Sequence, residues 1–185
     1  MRHEIHVQYK HVLLRPLRES DLECLRMWRN DKKYNAFLKD IGEVTPQMQM
    51  NWFKSECDDK YSYTFAIEEI QELNRLVGSV AIYDIHDDIA SSGKIVVGDK
   101  EASGRKIGYY GLILAMYAGY QKLGINKYVA DVHEDNKPAY INDLRMGFVI
   151  TGRHPYVAGG YEAEIELTRE RFWETHDFLD EIKIF

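Results

Sequence analysis

The chain has 185 residues, of which 45% are hydrophobic and 29% are charged, with a formal net charge of −6. This apolar content excludes a disordered chain, and the acidic balance argues against a nucleic-acid-binding protein, which carries a basic face. Two cysteines, Cys24 and Cys57, are too few for a disulfide framework. No apolar run approaches the roughly 20 residues that span a bilayer, and the N-terminus carries no hydrophobic signal. We therefore expect one soluble, cytoplasmic domain over residues 1–185 that binds neither nucleic acid nor membrane.

The first part of the chain predicts a strand followed by two helices. Residues 12–17 form an apolar run that ends at Pro16. Ser20 is expected to cap a helix over residues 21–30, which has apolar side chains at helical spacing. Thr45, followed by Pro46, predicts the start of a second helix that runs to about residue 57. Three apolar side chains of that helix are expected to be buried, namely Met48, Trp52 and Phe53.

The middle of the chain predicts a hairpin, a glycine-containing loop and a long apolar helix. Residues 61–68 and 76–85 have the alternation of paired strands, and residues 86–92 are interpreted as a polar connection. A short β-branched run, residues 95–97, predicts a buried strand. Gly104 and Gly108 then lead into a helix over about residues 109–123, and Gly124 is placed where a left-handed residue ends a helix.

A helix N-terminus behind a glycine loop attracts phosphate, because its first N–H groups are unpaired and its dipole is positive there. Arg105 and Lys106 add positive charge at this place, so a pyrophosphate is the expected ligand. From the spacing alone, a plain strand-to-helix turn whose glycines relieve steric strain is the preferred explanation, because short glycine motifs match by chance. The P-loop and the G-x-G-x-x-G dinucleotide pattern are both absent from the sequence.

The last part of the chain predicts a strand over residues 127–132, a helix with Pro138 in its first turn, and a hairpin over residues 148–156 and 161–168. The tail is interpreted as a helix followed by an extended end. Short hairpins join most neighbouring strands, and two helices make crossovers. The fold class is therefore predicted to be α+β, with a twisted, mostly antiparallel sheet of about seven strands and helices on both faces.

These elements together resemble the GNAT superfamily of acyl-CoA-dependent N-acetyltransferases, in the branch that acts on ribosomal-protein N-termini and amino sugars. The resemblance covers nearly the whole chain. It is carried by Leu14 to Leu17 with Asp21-Leu22, by Trp28-Arg29-Asn30-Asp31, by residues 95–101, by Gly104-Arg105-Lys106-Ile107-Gly108, and by Asn136 with Leu144-Arg145-Met146-Gly147-Phe148.

The resemblance implies acetyl-CoA as the acyl donor. Its pantetheine arm is expected to lie along the short central strand, and Asn136 to lie near the thiol end. The expected pantetheine residues are Ile95, Val96 and Val97. The residues expected to hold the pyrophosphate are Ser103, Gly104, Arg105, Lys106, Ile107, Gly108 and Tyr109.

The catalytic position departs from the family pattern. Asp143 stands where the family commonly has the tyrosine that protonates the departing thiolate, and an ionised aspartate has no proton to give. Tyr140, one helical turn earlier, and water are the substitutes. The alternative to an enzyme is therefore an inactive acyl-CoA-binding module. The candidate bases that take the proton of the attacking amine are Glu134, His133 and Asp131, with His86, Asp87 and Asp88 as further choices.

The acceptor is expected to be a primary amine. A small molecule, including an amino sugar linked to a nucleotide, ranks ahead of a protein N-terminus. The residues expected to bind the acceptor are Trp28, Arg29, Tyr34 and Phe37. The scattered histidines have no metal-ligand spacing, so we expect no metal. The sequence leaves a homodimer open.

Overall fold

A computed structural model of the protein describes residues 3–31, 42–157 and 159–185. The strands are β1 (Val7–Tyr9), β2 (Val12–Pro16), β3 (Tyr63–Glu69), β4 (Arg75–His86), β5 (Ile89–Val97), β6 (Lys127–His133), β7 (Val149–Pro155), β8 (Tyr161–Thr168) and β9 (Lys183–Ile184). The α-helices are α1 (Leu22–Asn30), α2 (Pro46–Asp58), α3 (Ile107–Lys122), α4 (Lys137–Arg145) and α5 (Arg169–Thr175). No helix in these ranges is long and apolar enough to cross a membrane.

The described strands form one sheet in the order β7-β8-β6-β5-β4-β3-β2-β1-β9. Its neighbouring pairs are antiparallel except for β5 and β6, which are parallel. The predicted α+β class and mostly antiparallel sheet are confirmed. The sheet has nine strands rather than about seven, because the short β1 and β9 pair at one edge.

Helices cover both faces of the sheet, as predicted. Phe65 and Ile67 of β3 belong to the large core cluster that contains the buried side chains of α3. Ala66, between them, belongs to a second cluster with Leu25 of α1 and Phe53 of α2. Because successive strand side chains point to opposite faces, α1 and α2 lie on the face opposite α3.

The helix starts follow from local chemistry, with one correction. The Thr45 hydroxyl accepts a hydrogen bond from the Met48 amide at 3.2 Å, which confirms the predicted cap of α2. The predicted cap at Ser20 is wrong, because Ser20 lies within a 3₁₀ turn that precedes α1. Asp21 ends that turn, since its carboxylate accepts from the Arg18 amide at 2.8 Å and pairs with the buried Arg15 guanidinium at 2.7 Å. A buried cation requires such a partner.

Two further expectations are corrected. Residues 86–92 are not a polar connection, because β4 continues to His86 and β5 begins at Ile89. The first half of β5 was not predicted as a strand, because the polar residues Ser91 and Ser92 interrupt the apolar pattern. Met48 and Trp52 of α2 are not buried, at 42% and 38% exposure. A cavity lies beside α2 where the sequence predicts packed core.

Candidate functional site

The two parallel strands separate after a short contact and leave a cavity between them. β5 and β6 pair only at Ile89 with Lys127 and at Ala90 with Tyr128 within the described residues. Both strands then continue, to Val97 and His133. A cavity of about 1360 Å³ opens there, with walls from β4, β5, β6 and α4. The edge of β5 that faces β6 is therefore open to an added extended ligand.

A second cavity, of about 530 Å³, lies between the end of β5 and the start of α3. Five backbone amides here make no hydrogen bond to the described residues, namely those of Gly104, Lys106, Ile107, Gly108 and Tyr109. All of these residues except Tyr109 line the cavity. The amides of Ser103 and Arg105 differ, because they donate to the carbonyls of Lys100 at 3.3 Å and Ala102 at 3.5 Å. Unpaired N–H groups at a helix N-terminus make an anion site. We call this feature the donor loop, residues 103–109.

The backbone of the donor loop uses two left-handed residues. Gly104 has φ +80° and Lys106 has φ +58°. Lys106 is the N-cap residue of α3, and this conformation costs about 1–2 kcal/mol for a residue with a β-carbon. Its side chain lines the cavity together with Lys100. The strained lysine thus adds a positive charge beside the free amides.

Arg105 lies in the donor loop but does not line its cavity. Its guanidinium pairs with Glu72 at 2.7 Å and its Nε donates to the Glu101 carbonyl at 3.0 Å. Arg75 holds the same segment through Asp99 at 2.7 Å and Glu101 at 2.8 Å. These exposed ion pairs tie the loop to the turn after β3. The structure therefore places Arg105 as a brace of the loop backbone.

The three apolar residues at the end of β5 line three different cavities. Ile95 lines the β5–β6 cavity and Val97 lines the donor-loop cavity. Both approach α3, since a β-carbon added at Gly108 would lie 3.8 Å from Ile95 and 3.7 Å from Val97. Val96 points to the opposite face, where it lines a cavity of about 490 Å³ beside α1 and α2. We call this last cavity the α1–α2 pocket.

Asn136 and Asp143 both line the β5–β6 cavity. The Asn136 side chain accepts from the Ala139 amide at 3.5 Å and caps α4. The Asp143 carboxyl makes no hydrogen bond or ion pair to the described residues, and burial raises its pKa to about 7. Asp143 is half-buried, and its raised pKa allows the carboxyl to hold a proton near neutral pH. Tyr140, on the same helix, does not line this cavity.

The candidate bases divide into those that face the cavity and those that do not. Asp131 and His133 line it. Glu134 is held by the guanidinium of Arg153 at 2.7 and 2.8 Å, and this hydrogen bonding lowers the pKa of Glu134. His86, Asp87 and Asp88, at the turn between β4 and β5, do not line the cavity.

The predicted acceptor residues are not all together. Arg29 lines the α1–α2 pocket. Trp28 does not line it and belongs to the packed cluster of α1 and the sheet. Tyr34 and Phe37 lie outside the described residues.

Sequence reasoning missed four side chains at these cavities. Gln49, Trp52 and Lys94 line the α1–α2 pocket, and Tyr83 and Lys94 line the β5–β6 cavity. The Lys94 ammonium lies 4.0 Å above the centre of the Tyr83 ring. The sequence pattern around Trp52 was a helical spacing of apolar residues, and that spacing predicted burial in the core rather than a place at a cavity. Lys94 lay just before the predicted strand.

Comparison with known proteins agrees with this architecture. Residues 11–148 match the family described as the acetyltransferase (GNAT) domain. A curated relative, the N-acetyltransferase 9-like protein of Caenorhabditis briggsae, is 26% identical over an alignment of 139 positions, and the match covers 70% of this chain and 67% of that protein. Among solved structures, spermidine N-acetyltransferase from Vibrio cholerae, in complex with CoA and spermine, superposes with a TM-score of 0.76 at 16% identity and covers 88% of this chain and 98% of that one. A GCN5-related N-acetyltransferase from Brucella melitensis gives 0.74 at 17% identity, over 94% of this chain and 81% of that one. The family match spans well over half of the sequence, and the chain belongs to the GNAT family of acetyltransferases.

Proposed function

We propose that this protein is an N-acetyltransferase that moves an acetyl group from acetyl-CoA to a primary amine by direct attack. The GNAT family uses acetyl-CoA as its acyl donor. The observation that carries the proposal for this chain is the donor loop, with five unpartnered amides and Lys106 around one cavity at the end of β5. That arrangement suits a diphosphate.

The donor fits the groups that the chain presents. Gly104, Lys106, Ile107, Gly108 and Tyr109 would hold the diphosphate through their amides. The open edge of β5 from Ser91 to Val97 would pair with the extended arm as an added strand does. Acetyl-CoA supplies an acetyl group activated as a thioester. Ser103 and Arg105 serve the loop's own backbone and side-chain contacts instead.

In this proposal Asp143 is the acid and Asp131 is the base. A C–N bond forms to the amine and the C–S bond breaks. Asp131, which faces the cavity, takes the proton of the amine through water. Asp143 donates its proton to the sulfur that leaves, which burial makes feasible near neutral pH. Glu134 keeps its ion pair with Arg153 and positions that side chain.

The burial of Asp143 favours an enzyme over an inactive acyl-CoA-binding module, because the reason for doubting activity was an ionised carboxylate at this position. As the acceptor, we favour a small molecule, including an amino sugar, over a protein N-terminus. Self-association into a homodimer stays a prediction of the sequence.

The test is thiol release from acetyl-CoA across a panel of amines, with amino sugars, peptides and polyamines represented. We expect release with at least one amine, together with an acetylated product of the expected mass. Binding of acetyl-CoA without turnover on any amine of the panel would support the binding module instead.

A further inference from the structure

The α1–α2 pocket is placed where an acceptor would have to enter. It lies on the sheet face opposite α3 and is bounded by α1, α2, Ser79 of β4 and the last residues of β5. Lys94 lines both this pocket and the β5–β6 cavity, so the two spaces meet at that residue. Its volume of about 490 Å³ is within the usual range for a small-molecule site.

The described lining of the pocket carries positive side chains. Its described lining contains two cations, Arg29 and Lys94, and no carboxylate. The Lys94 ammonium rests over the ring of Tyr83 and has no acidic partner within 4.0 Å in the described part of the chain. A polyamine would bring further ammonium groups against these cations. An acceptor that carries phosphate would instead be attracted to them.

Gln49 makes the α1–α2 pocket suited to a polar ligand. Its side chain is only 7% exposed and lines the pocket, yet its amide makes no hydrogen bond to any described residue. The polar atoms of this amide are not among the fully buried side-chain atoms that lack a partner in the described chain, so they reach the open space of the pocket. The N–H donors and the carbonyl acceptor of Gln49 are therefore available to hydrogen-bond a ligand in the pocket.

An aromatic wall completes the pocket. Trp52 stands on the same face of α2, one turn from Met48 and Gln49, and is 38% exposed. The remaining apolar walls come from Leu25, Val44 and Val96. A partly exposed indole beside an unpaired amide is suited to a planar ring with hydrogen-bonding edges, because stacking of a base on an aromatic side chain contributes about 1–3 kcal/mol.

From these observations we infer that the α1–α2 pocket binds an acceptor amine that is carried on a nucleoside diphosphate. Trp52 stacks on the base and Gln49 hydrogen-bonds to it. Arg29 and Lys94 pair with the diphosphate, and the amine-bearing end points toward the β5–β6 cavity at Lys94. The inference deepens the proposed function and depends on it for the role of the amine, but the binding step stands by itself.

The experiment measures binding of uridine diphosphate (UDP) to the full chain by calorimetry, with the protein already saturated with CoA so that the donor loop is filled. We expect UDP to bind, and to quench tryptophan fluorescence. Lys94→Gln and Gln49→Leu should each raise the dissociation constant at least tenfold. The matched control is Lys54→Gln, an exposed lysine of α2 outside the pocket, which should leave UDP affinity unchanged.

Three results would overturn the inference. These are absence of UDP binding to the CoA-saturated protein, equal affinity in Lys94→Gln and the parent, and displacement of UDP by spermidine. Inorganic pyrophosphate serves as a further arm, and a pyrophosphate affinity equal to that of UDP would contradict the role given to Trp52. Circular dichroism of each variant verifies that it is folded. If UDP binds but acetyl-CoA is never turned over with any amine, the proposed function fails while the binding site stands.

Discussion

Trp28 of α1 lies directly against Gly98, the residue that follows β5, so closely that a β-carbon added at position 98 would overlap the indole ring. This contact fixes the end of β5 relative to α1, and with it the position from which the donor loop departs. It also shows that Trp28 packs against the end of the sheet, while its role in binding the acceptor stays a prediction. Trp52, one helix later, is the aromatic side chain that lines the α1–α2 pocket.

The Trp28–Gly98 contact predicts a stability difference between two glycines. Gly98→Ala should lower the free energy of unfolding by about 1–3 kcal/mol, because overpacking displaces the indole ring. Gly108→Ala is the matched control, since its added β-carbon meets only ordinary contacts at 3.7 and 3.8 Å. Urea denaturation of both variants measures the difference. Equal stability of Gly98→Ala and the parent would show that the ring can move away freely.

The donor loop predicts a charge effect on the binding of acetyl-CoA. Lys106→Glu places a negative charge beside the five free amides and should raise the dissociation constant of acetyl-CoA by about tenfold or more. Lys54→Glu makes the same charge change on the exposed surface of α2 and should have little effect. Calorimetric titration of acetyl-CoA compares the two.

An acetyl donor that lacks the diphosphate distinguishes a charge effect on donor binding from damage to the fold. Acetyl-pantetheine lacks that group, so its use by Lys106→Glu should equal its use by the parent. A similar loss with both donors would indicate that the substitution disrupts α3 rather than a diphosphate contact.

Asp143 predicts how the rate depends on pH. The acid form is needed to protonate the sulfur, and burial raises the pKa of Asp143 to about 7. The kcat should therefore fall as pH rises through about 7. Asp143→Asn has no such proton, so its kcat should be about a hundredfold lower and should lack this limb. A parent profile that is flat between pH 6 and 8.5 would contradict the role.

The same carboxyl predicts how stability depends on pH. Its folded-state pKa is above its ordinary value of 3.8, so the folded protein binds more protons than the unfolded chain between about pH 4 and 7. Asp143 therefore lowers stability progressively as pH rises through that window. Asp143→Asn removes this effect, and its melting temperature should gain on that of the parent between pH 5 and 8. A melting-temperature difference between the two proteins that does not change with pH would be inconsistent with a raised pKa of Asp143.

The two candidate bases differ in how they are held. Asp131 lies 3.4 Å from His154 Nε2, whereas Glu134 is bound by Arg153 at 2.7 Å, and this difference predicts different mutant kinetics. Asp131→Asn should lower kcat/KM by about a hundredfold, because Asp131 faces the cavity. Glu134→Gln should have a much smaller effect, since its carboxylate is bound on both oxygens by Arg153. Steady-state kinetics with one acceptor at fixed pH compares them. The opposite ranking would return the role of base to Glu134.

Much of the fold could be predicted from the sequence, because the sequence patterns that indicate its helices and turns are local. Thr45 with Pro46 begins a helix, and Gly124 has φ +72° just past the end of α3, both as predicted. The strands β1 and β9 have three and two residues, too short for a periodic pattern. β1 pairs with β2, and β9 pairs with the other edge of β1, so β9 depends on a contact between the two ends of the described chain. The first half of β5 was missed because its side chains are small and polar.

The site could be predicted only in part, because some of its features depend on residues that are distant in sequence. The position of the donor loop follows from glycines before an apolar helix. The direction of Arg105 does not, because Glu72 is a distant residue in sequence. The raised pKa of Asp143 depends on burial by other elements of the fold, and the amino-acid composition does not predict this burial. The exposure of Trp52 required knowledge of a cavity that only the packed structure contains.

The most direct test of the central claim is a crystal structure of the protein with acetyl-CoA bound. We predict diphosphate oxygens within hydrogen-bonding distance of the amides of Gly104, Lys106, Ile107, Gly108 and Tyr109, with the extended arm running along β5 toward Asp143. A diphosphate bound elsewhere, or an arm that leaves the edge of β5 unpaired, would contradict the account.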